Sequence, residues 1–399
     1  MLPHNAMLCA DARMVGSAGG TGVTRYARAL VAAQTALAAD HWLLGDDTAF
    51  AARQSRGQQV ARWLRALPPG GVRAGVAADG TRRLHAPDLF RLAQVYFDVH
   101  GRLMPVRAPG HGIMHWTFPV PLRLVGWRNL YTVHDVIPLT HPELSPIPQR
   151  RFRRLLERVE EAADAIVTVS DSARGEIVAA LGCAEDMVVD CGQAIAPAAP
   201  VAAPLPEGLV AGGYFLVCGA IERRKNLLAL LHAYRASGVA LPIAFAGPEG
   251  WQGREVLDMI AVTPGAMRLG YLSDDGLRAV MAQARALLMP SLAEGFGLPA
   301  VEAMALGTPV LASDHGALAE VTGGAALAVD PADIAAMAGA LRRLASDDAL
   351  CRQLSGAGRQ VAARHAPDRF RERLGRLYAG IVARDDGDAK RRASGKEFR

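Results

Sequence analysis

The sequence offers little for covalent or metal cross-linking. It has five cysteines in 399 residues, Cys9, Cys183, Cys191, Cys218 and Cys351, and no Cys-x-x-Cys pair. An odd, scattered set argues against a disulfide framework or a zinc site and fits a reducing compartment. No apolar run approaches the roughly 20 residues that span a bilayer. The first residues lack the basic, apolar and small-residue regions of a secretory signal. The expectation is a cytoplasmic protein, soluble or peripheral at the inner face of the cell membrane. No solenoid-length repeat is present. The Gly-x-Gly-x-x-Gly fingerprint and its ribose-binding acid are missing, which disfavours a dinucleotide oxidoreductase. The one Asp-x-Asp, Asp386–Asp388, lies near the C-terminus and not at a strand tip. No metal and no cofactor are therefore expected; basic residues and helix dipoles would hold any phosphate. The pI of about 9.1 raises nucleic acid as a partner. Without aromatic–basic interleaving or a binding motif, no nucleic acid is expected.

What is present is a globular composition, 51% hydrophobic and 21% charged with a net charge of +5, in a chain long enough for two domains. Strand candidates in the first half are Met7–Ala10, Ile113–Phe118, Asn129–Val133 and Ala165–Ser170. Val23–Ala39 reads as a helix, and Asp171 as the cap of another. Residues 51–109 read as helices and long loops. A Pro- and Ala-rich break at 196–208 suggests a linker. Alternation then resumes, with strand candidates at Tyr214–Cys218, Pro242–Ala246, Met267–Leu269, Ala286–Met289, Pro309–Ala312 and Ala326–Val329. Strands alternating with helices predict an α/β fold of two Rossmann-like doubly wound domains with a cleft between them. The predicted divisions are residues 1–196, 209–365, a helix at 366–384 crossing back to the first domain, and a charged, disordered tail at 385–399.

The strongest chemical signal is SLAEGFGLPAVEAMALGTPVLASD, Ser291–Asp314. Glu294 falls on a loop and Glu302 about one turn into a helix that starts near Pro299. Gly295 and Gly297 let backbone approach a ligand closely. A helix start is an anion site, and a carboxylate can accept two vicinal hydroxyls. In CGAIERRKNL, Gly219 ends a strand, Arg223, Arg224 and Lys225 follow at its tip, and Asn226 could cap the next helix. Such cations can face a diphosphate and offset charge on a leaving group. Gly19, Gly20 and Gly22 precede a helix. In NLYTVHDVIPL, His134 sits at a strand tip, where it could bond a sugar hydroxyl or stabilise a cationic transition state; Asp135 shapes the turn. Gly247 and Pro248 follow a strand, and Leu272 lies in a loop that could frame a base. The basic run QRRFRRLLER, residues 149–158, reads first as a solvated face. Its alternative is a patch for anionic lipids or a lipid-diphosphate acceptor.

With these motifs the chain resembles glycosyltransferase family 4, a retaining family of GT-B fold, in its mannosyltransferase-like branch. The resemblance runs from Gly16 to about Val382. It rests on Glu294-x7-Glu302, the Arg224-Lys225-Asn226 segment, the Gly-rich loop and His134-Asp135-x-x-Pro138. It departs from the family where Arg223 replaces a common Pro and Ala220 follows the strand Gly. The resemblance implies a nucleotide-sugar donor and transfer of a hexose, with mannose from GDP-mannose the first choice and UDP-glucose or UDP-N-acetylglucosamine the alternatives. The implied acceptor is a saccharide or a polyprenyl-diphosphate-linked saccharide, in polysaccharide or glycolipid biosynthesis. It implies that His134, Glu294, Lys225 and Arg224 are catalytic. Gly20, Gly22, Gly219, Gly247, Leu272, Gly295, Phe296, Gly297, Leu298 and Glu302 would bind donor, Glu302 at the ribose. Rival readings are a sugar-nucleotide epimerase or phosphorylase of the same architecture.

Overall fold

A computed structural model describes residues 7–15, 22–46, 57, 64, 71–76, 82–195 and 204–394, with side chains as far as Ala383. The first half carries β1 (Leu8–Asp11), β2 (His41–Asp46), β3 (Val72–Arg73), β4 (Gly75–Val76), β5 (Arg83–Ala86), β6 (Met104–Arg107), β7 (Ile113–Trp116), β8 (Leu122–Val125), β9 (Arg128–Thr132), β10 (Ala165–Thr168) and β11 (Val188–Asp190). Eight of these form a sheet in the order β11-β10-β9-β7-β1-β2-β5-β4. Its pairs are parallel except the β4–β5 edge. β3, β6 and β8 make a small separate parallel sheet. The second half carries β12 (Phe215–Cys218), β13 (Ile243–Ala246), β14 (Ala266–Gly270), β15 (Ala286–Met289), β16 (Val310–Ser313) and β17 (Leu327–Val329). They order as β14-β13-β12-β15-β16-β17, all parallel. Both large sheets are therefore doubly wound, with strand order reversing between β1 and β7 and between β12 and β15. In such sheets ligands collect at the carboxyl ends of the strands beside the reversal.

Central strands are short apolar runs because helices cover both faces: every residue of β1, β7, β10, β13, β15 and β16 is buried. Alternate side chains enter different cores. Leu8 and Ala10 of β1 join one that also holds Leu216, Leu287 and Ala312 of the second sheet. Cys9 joins another, with Trp116 and Tyr131. The first of these cores thus contains residues of both halves, along with Phe296 and Phe370. The closing helix, Pro367–Ser394, packs along the Gly22–Leu37 helix of the first half. Its Tyr378 is fully buried, with its hydroxyl 2.9 Å from Gln34 Nε2 and 2.7 Å from His115 Nδ1.

Four local readings need correction. Where it is described, the 51–109 stretch contains strands β3 to β6 as well as the Leu89–His100 helix. These strands are two to four residues long, too short for periodicity to register. The Asp171–Leu181 helix is capped by Ser170, whose Oγ accepts from Ala173 N at 3.1 Å, not by Asp171. Asn226 makes no capping bond; it sits at φ 58° and its Nδ2 donates to Pro331 O at 2.7 Å. Residues 385–394 continue the closing helix, where a disordered tail is read from the charge. Adding a residue to an existing helix needs no new nucleation, and Ala, Arg and Lys favour it. Residues 395–399 lie outside the described residues.

Candidate active site

The tip of β12 is built by close backbone approach. Gly219 has φ 121° and Gly247, beyond β13, has φ 151°. A Cβ on Gly247 would lie 2.0 Å from Gly219 O, so only glycine lets the two tips meet. The chain then makes a single turn, Arg223–Lys225, which aims two cations at one carboxylate. Lys225 Nζ donates to Glu294 Oε1 and Arg224 Nη1 to Oε2, both at 2.6 Å. Arg224 also donates to Ala293 O at 2.9 Å and to Glu222 Oε1 at 2.7 Å. The Glu294 side chain is 9% exposed. Burial pushes its carboxyl up, but Arg224 and Lys225 overcome that and hold it at about 2. Glu294 is thus a fixed anion, with its oxygens oriented from beneath.

Glu294 belongs to the loop between β15 and the Leu298–Leu306 helix. Gly295 passes directly under the first half: a Cβ there would lie 2.2 Å from His134 O. Ser170 Oγ donates to Gly295 O at 2.7 Å, across the same junction. Gly297 caps the helix at φ 93°, and Pro299 occupies its first turn. Glu302, one turn in, is ion-paired with Arg25 of the Gly22–Leu37 helix. Burial lifts the Glu302 carboxyl above its ordinary value, against the pull of Arg25.

On the opposite wall, His134 follows β9. Its Nε2 lies 3.0 Å from Thr117 O. A carbonyl only accepts, so Nε2 carries the proton. Burial lowers the ring to about 4, which leaves it neutral near pH 7 with Nδ1 an acceptor. His134 is therefore equipped to accept from a hydroxyl rather than to present a positive charge. Tyr26 meets it edge-on, with centroids 4.8 Å apart. Asp135 Oδ1 accepts from Ile137 N at 3.1 Å and so shapes the turn.

These walls enclose a cavity of about 700 Å³. It brings together Gly22, His134, Gly219, Arg224, Lys225, Gly247, Leu272, Glu294, Gly295, Phe296, Gly297 and Leu298. Glu302 does not line it; it lines an adjoining apolar cavity of about 490 Å³, and Arg25 borders both. Gly20 lies outside the described residues. Sequence reasoning missed Arg25, Cys218 and Asp274. Arg25 sits on an amphipathic helix where an exposed cation is the ordinary reading. The basic helix Gln149–Ala162 has most of its arginines engaged within the protein. Arg151 holds Asp98 and Gln94, Arg153 holds Ala180 O, Arg154 covers Phe97, and Arg158 holds Glu161 and Gly101 O. Among the described residues, no three His, Cys, Asp or Glu side chains gather as a metal site, and no helix is long and apolar enough to cross a membrane.

The profile of the family "Glycosyl transferases group 1" matches residues 212–347, the part that supplies β12 to β17 and both glutamates. The chain is 34% identical over 247 residues to an O-antigen chain mannosyltransferase B of Escherichia coli, covering 58% of this chain and 64% of that one. The chain spans less than two thirds of the first curated relatives it matches, down to 32% of a longer serotype-specific mannosyltransferase, WbdA, of the same organism. Among solved structures, the sucrose-phosphate synthase of Thermosynechococcus elongatus superposes with a TM-score of 0.68 at 18% identity, over 95% of this chain and 99% of that one. The chain is thus similar over its second half to the group 1 glycosyltransferases, and to mannosyltransferases among its curated relatives, while the structural neighbour shares its fold of two Rossmann-like domains.

Proposed function

We propose that this protein transfers a hexose, mannose from GDP-mannose as first choice, from a nucleotide-diphosphate donor to a saccharide or lipid-linked saccharide. The observation that carries the reading is the Glu294 carboxylate, clamped by Lys225 and Arg224 and facing neutral His134 across the cavity. Glu294 would accept from donor-sugar hydroxyls, and His134 Nδ1 from another. The helix that starts at Leu298 would meet the diphosphate. Lys225 keeps N–H donors beyond the one on Glu294 and lies over Gly219. It would neutralise charge on the leaving phosphate.

The proposed step retains configuration. The acceptor oxygen bonds to the anomeric carbon on the face the diphosphate leaves. The bond from that carbon to the phosphate oxygen breaks, and its electron pair stays with the phosphate. That oxygen takes the acceptor proton. No side chain in the cavity is assigned as a covalent nucleophile, because Glu294 is already held by two cations. We assign the diphosphate to basic groups and the helix start, without a divalent metal. The mannosyltransferase relatives, one of them named for the O-antigen chain, support mannose and an acceptor in polysaccharide biosynthesis; the inner face of the membrane is the place we propose for it.

The test is to incubate the full chain with GDP-mannose, UDP-glucose and UDP-N-acetylglucosamine and with soluble and polyprenyl-diphosphate-linked acceptors, with and without chelator. Transfer of mannose with the anomer of the donor, unaffected by chelator, is expected. Preference for a UDP-sugar overturns the donor assignment, inversion seen by NMR overturns the mechanism, and loss on chelation overturns the metal-free reading. No consumption of any donor overturns the whole.

A further inference from the structure

The cation inventory of the cleft does not balance a diphosphate. Arg224 and Lys225 are both committed to Glu294, and Arg224 also to Glu222, so two cations already face two carboxylates. A third cation reaches the same place from the other domain. Arg25 stands in the first turn of the Gly22–Leu37 helix and borders the 700 Å³ cavity together with Gly22, Thr24, Gly219 and Lys225. Cys218, the last residue of β12, feels the charges of Glu302, Arg25 and Lys225 together, so all three converge on that strand tip.

Arg25 does not make the two-nitrogen pairing open to a guanidinium. A single nitrogen, Nη1, touches both Glu302 oxygens, where two nitrogens would make the parallel fork. Nη2 lies 3.8 Å from Asp274, beyond hydrogen-bond reach. Arg25 contacts both Glu302 oxygens, so a vicinal diol donating to the same carboxylate would compete with it. The displaced cation then has a diphosphate within the cavity it already borders.

We propose that Arg25 is a donor-binding residue supplied by the first domain, released from Glu302 by the ribose of a nucleoside diphosphate and taken up by its diphosphate. The exchange couples seating of the nucleotide to delivery of charge from the opposite wall. It rests on the nucleotide-sugar reading above and adds a residue and a sequence of contacts to it.

Calorimetric binding of GDP, UDP, guanosine and uridine to the full chain separates the alternatives. Relative to wild type, Arg25→Gln should weaken the nucleoside diphosphate tenfold or more and leave the matching nucleoside unchanged or tighter, since a competitor for Glu302 is gone. Arg25→Lys should recover part of the diphosphate affinity. Glu302→Gln should weaken nucleoside and diphosphate alike. If Arg25→Gln binds the diphosphate as tightly as wild type or more so, Arg25 is only a latch on Glu302 and the proposal is wrong. If wild type binds neither diphosphate, the nucleotide-sugar reading itself fails. Circular dichroism melts of both Arg25 variants guard against loss of fold.

Discussion

Replacing Glu294 by Gln keeps the shape of the side chain and removes its charge, and the structure sets the size of the consequence. In the folded protein this carboxyl lies at about 2, against an ordinary 4.5. That difference is worth about 3 kcal/mol of folding stability, all of it from the pair of cations winning over burial. The group is depressed, so the contribution is complete above pH 4.5 and is lost as pH falls towards 2. Urea unfolding of wild type and Glu294→Gln at several pH values tests this directly. At pH 7 the variant should be less stable by about 3 kcal/mol, since Lys225 and Arg224 lose their shared partner. The gap should narrow below pH 4.5 as the wild-type carboxyl takes up its proton. Transfer activity should fall at least a hundredfold at pH 7, an added barrier of about 2.7 kcal/mol. A gap of the same size at pH 7 and pH 3 would show that Glu294 is not the anion the two cations hold. Activity within tenfold of wild type would remove it from the reaction.

Three further outcomes follow from contacts across the domain junction and from the histidine. Ser170→Ala removes both a helix cap and the bond to Gly295 O. It should lower stability by about 1–2 kcal/mol in denaturant titration; no change would mean water replaces both bonds. Gly295→Ala puts a methyl 2.2 Å from His134 O. Transfer should then fall more than stability does, and a variant with full turnover would show that the loop moves freely. With His134 lowered to about 4, the profile of kcat/KM should show no limb from this group near pH 6.5 and should fall only as pH approaches 4. Because the folded ring binds its proton less readily than the unfolded one, the stability it contributes is present above pH 6.5 and is lost below it. His134→Asn should flatten the acid limb, and a profile identical to wild type would refute the assignment.

The second domain was legible because most of its strands are apolar runs closed by Gly or Pro, as at Phe215–Cys218 and Ala286–Met289. β2 and β5 were not, since HWLLGD and RLHA interrupt their apolar residues with His, Asp and Arg and have no clean period. Residue spacing placed Glu294 and Glu302 on a loop and a helix, because Pro299 and Gly307 mark the helix ends. Spacing could not show what each carboxylate meets. The partner of Glu302 is 277 residues away in sequence. Glu320 accepts from Asp171 N and Ser172 N at 2.9 and 2.7 Å, a helix start belonging to the other half of the chain. Both look like ordinary surface charges until the halves are brought together. The neutrality of His134 depends in the same way on burial, which outweighs the bond to Thr117 O that favours the charged ring, and a strand-tip motif encodes neither.

The buried Tyr378, bonded to Gln34 and His115, ties the last helix to the first. Part of the interior of the N-terminal half is therefore supplied by a side chain that is synthesised after the whole of the second sheet. A chain stopped just before Pro367 would keep both glutamates and both cations yet leave Gln34 and His115 without the hydroxyl they share.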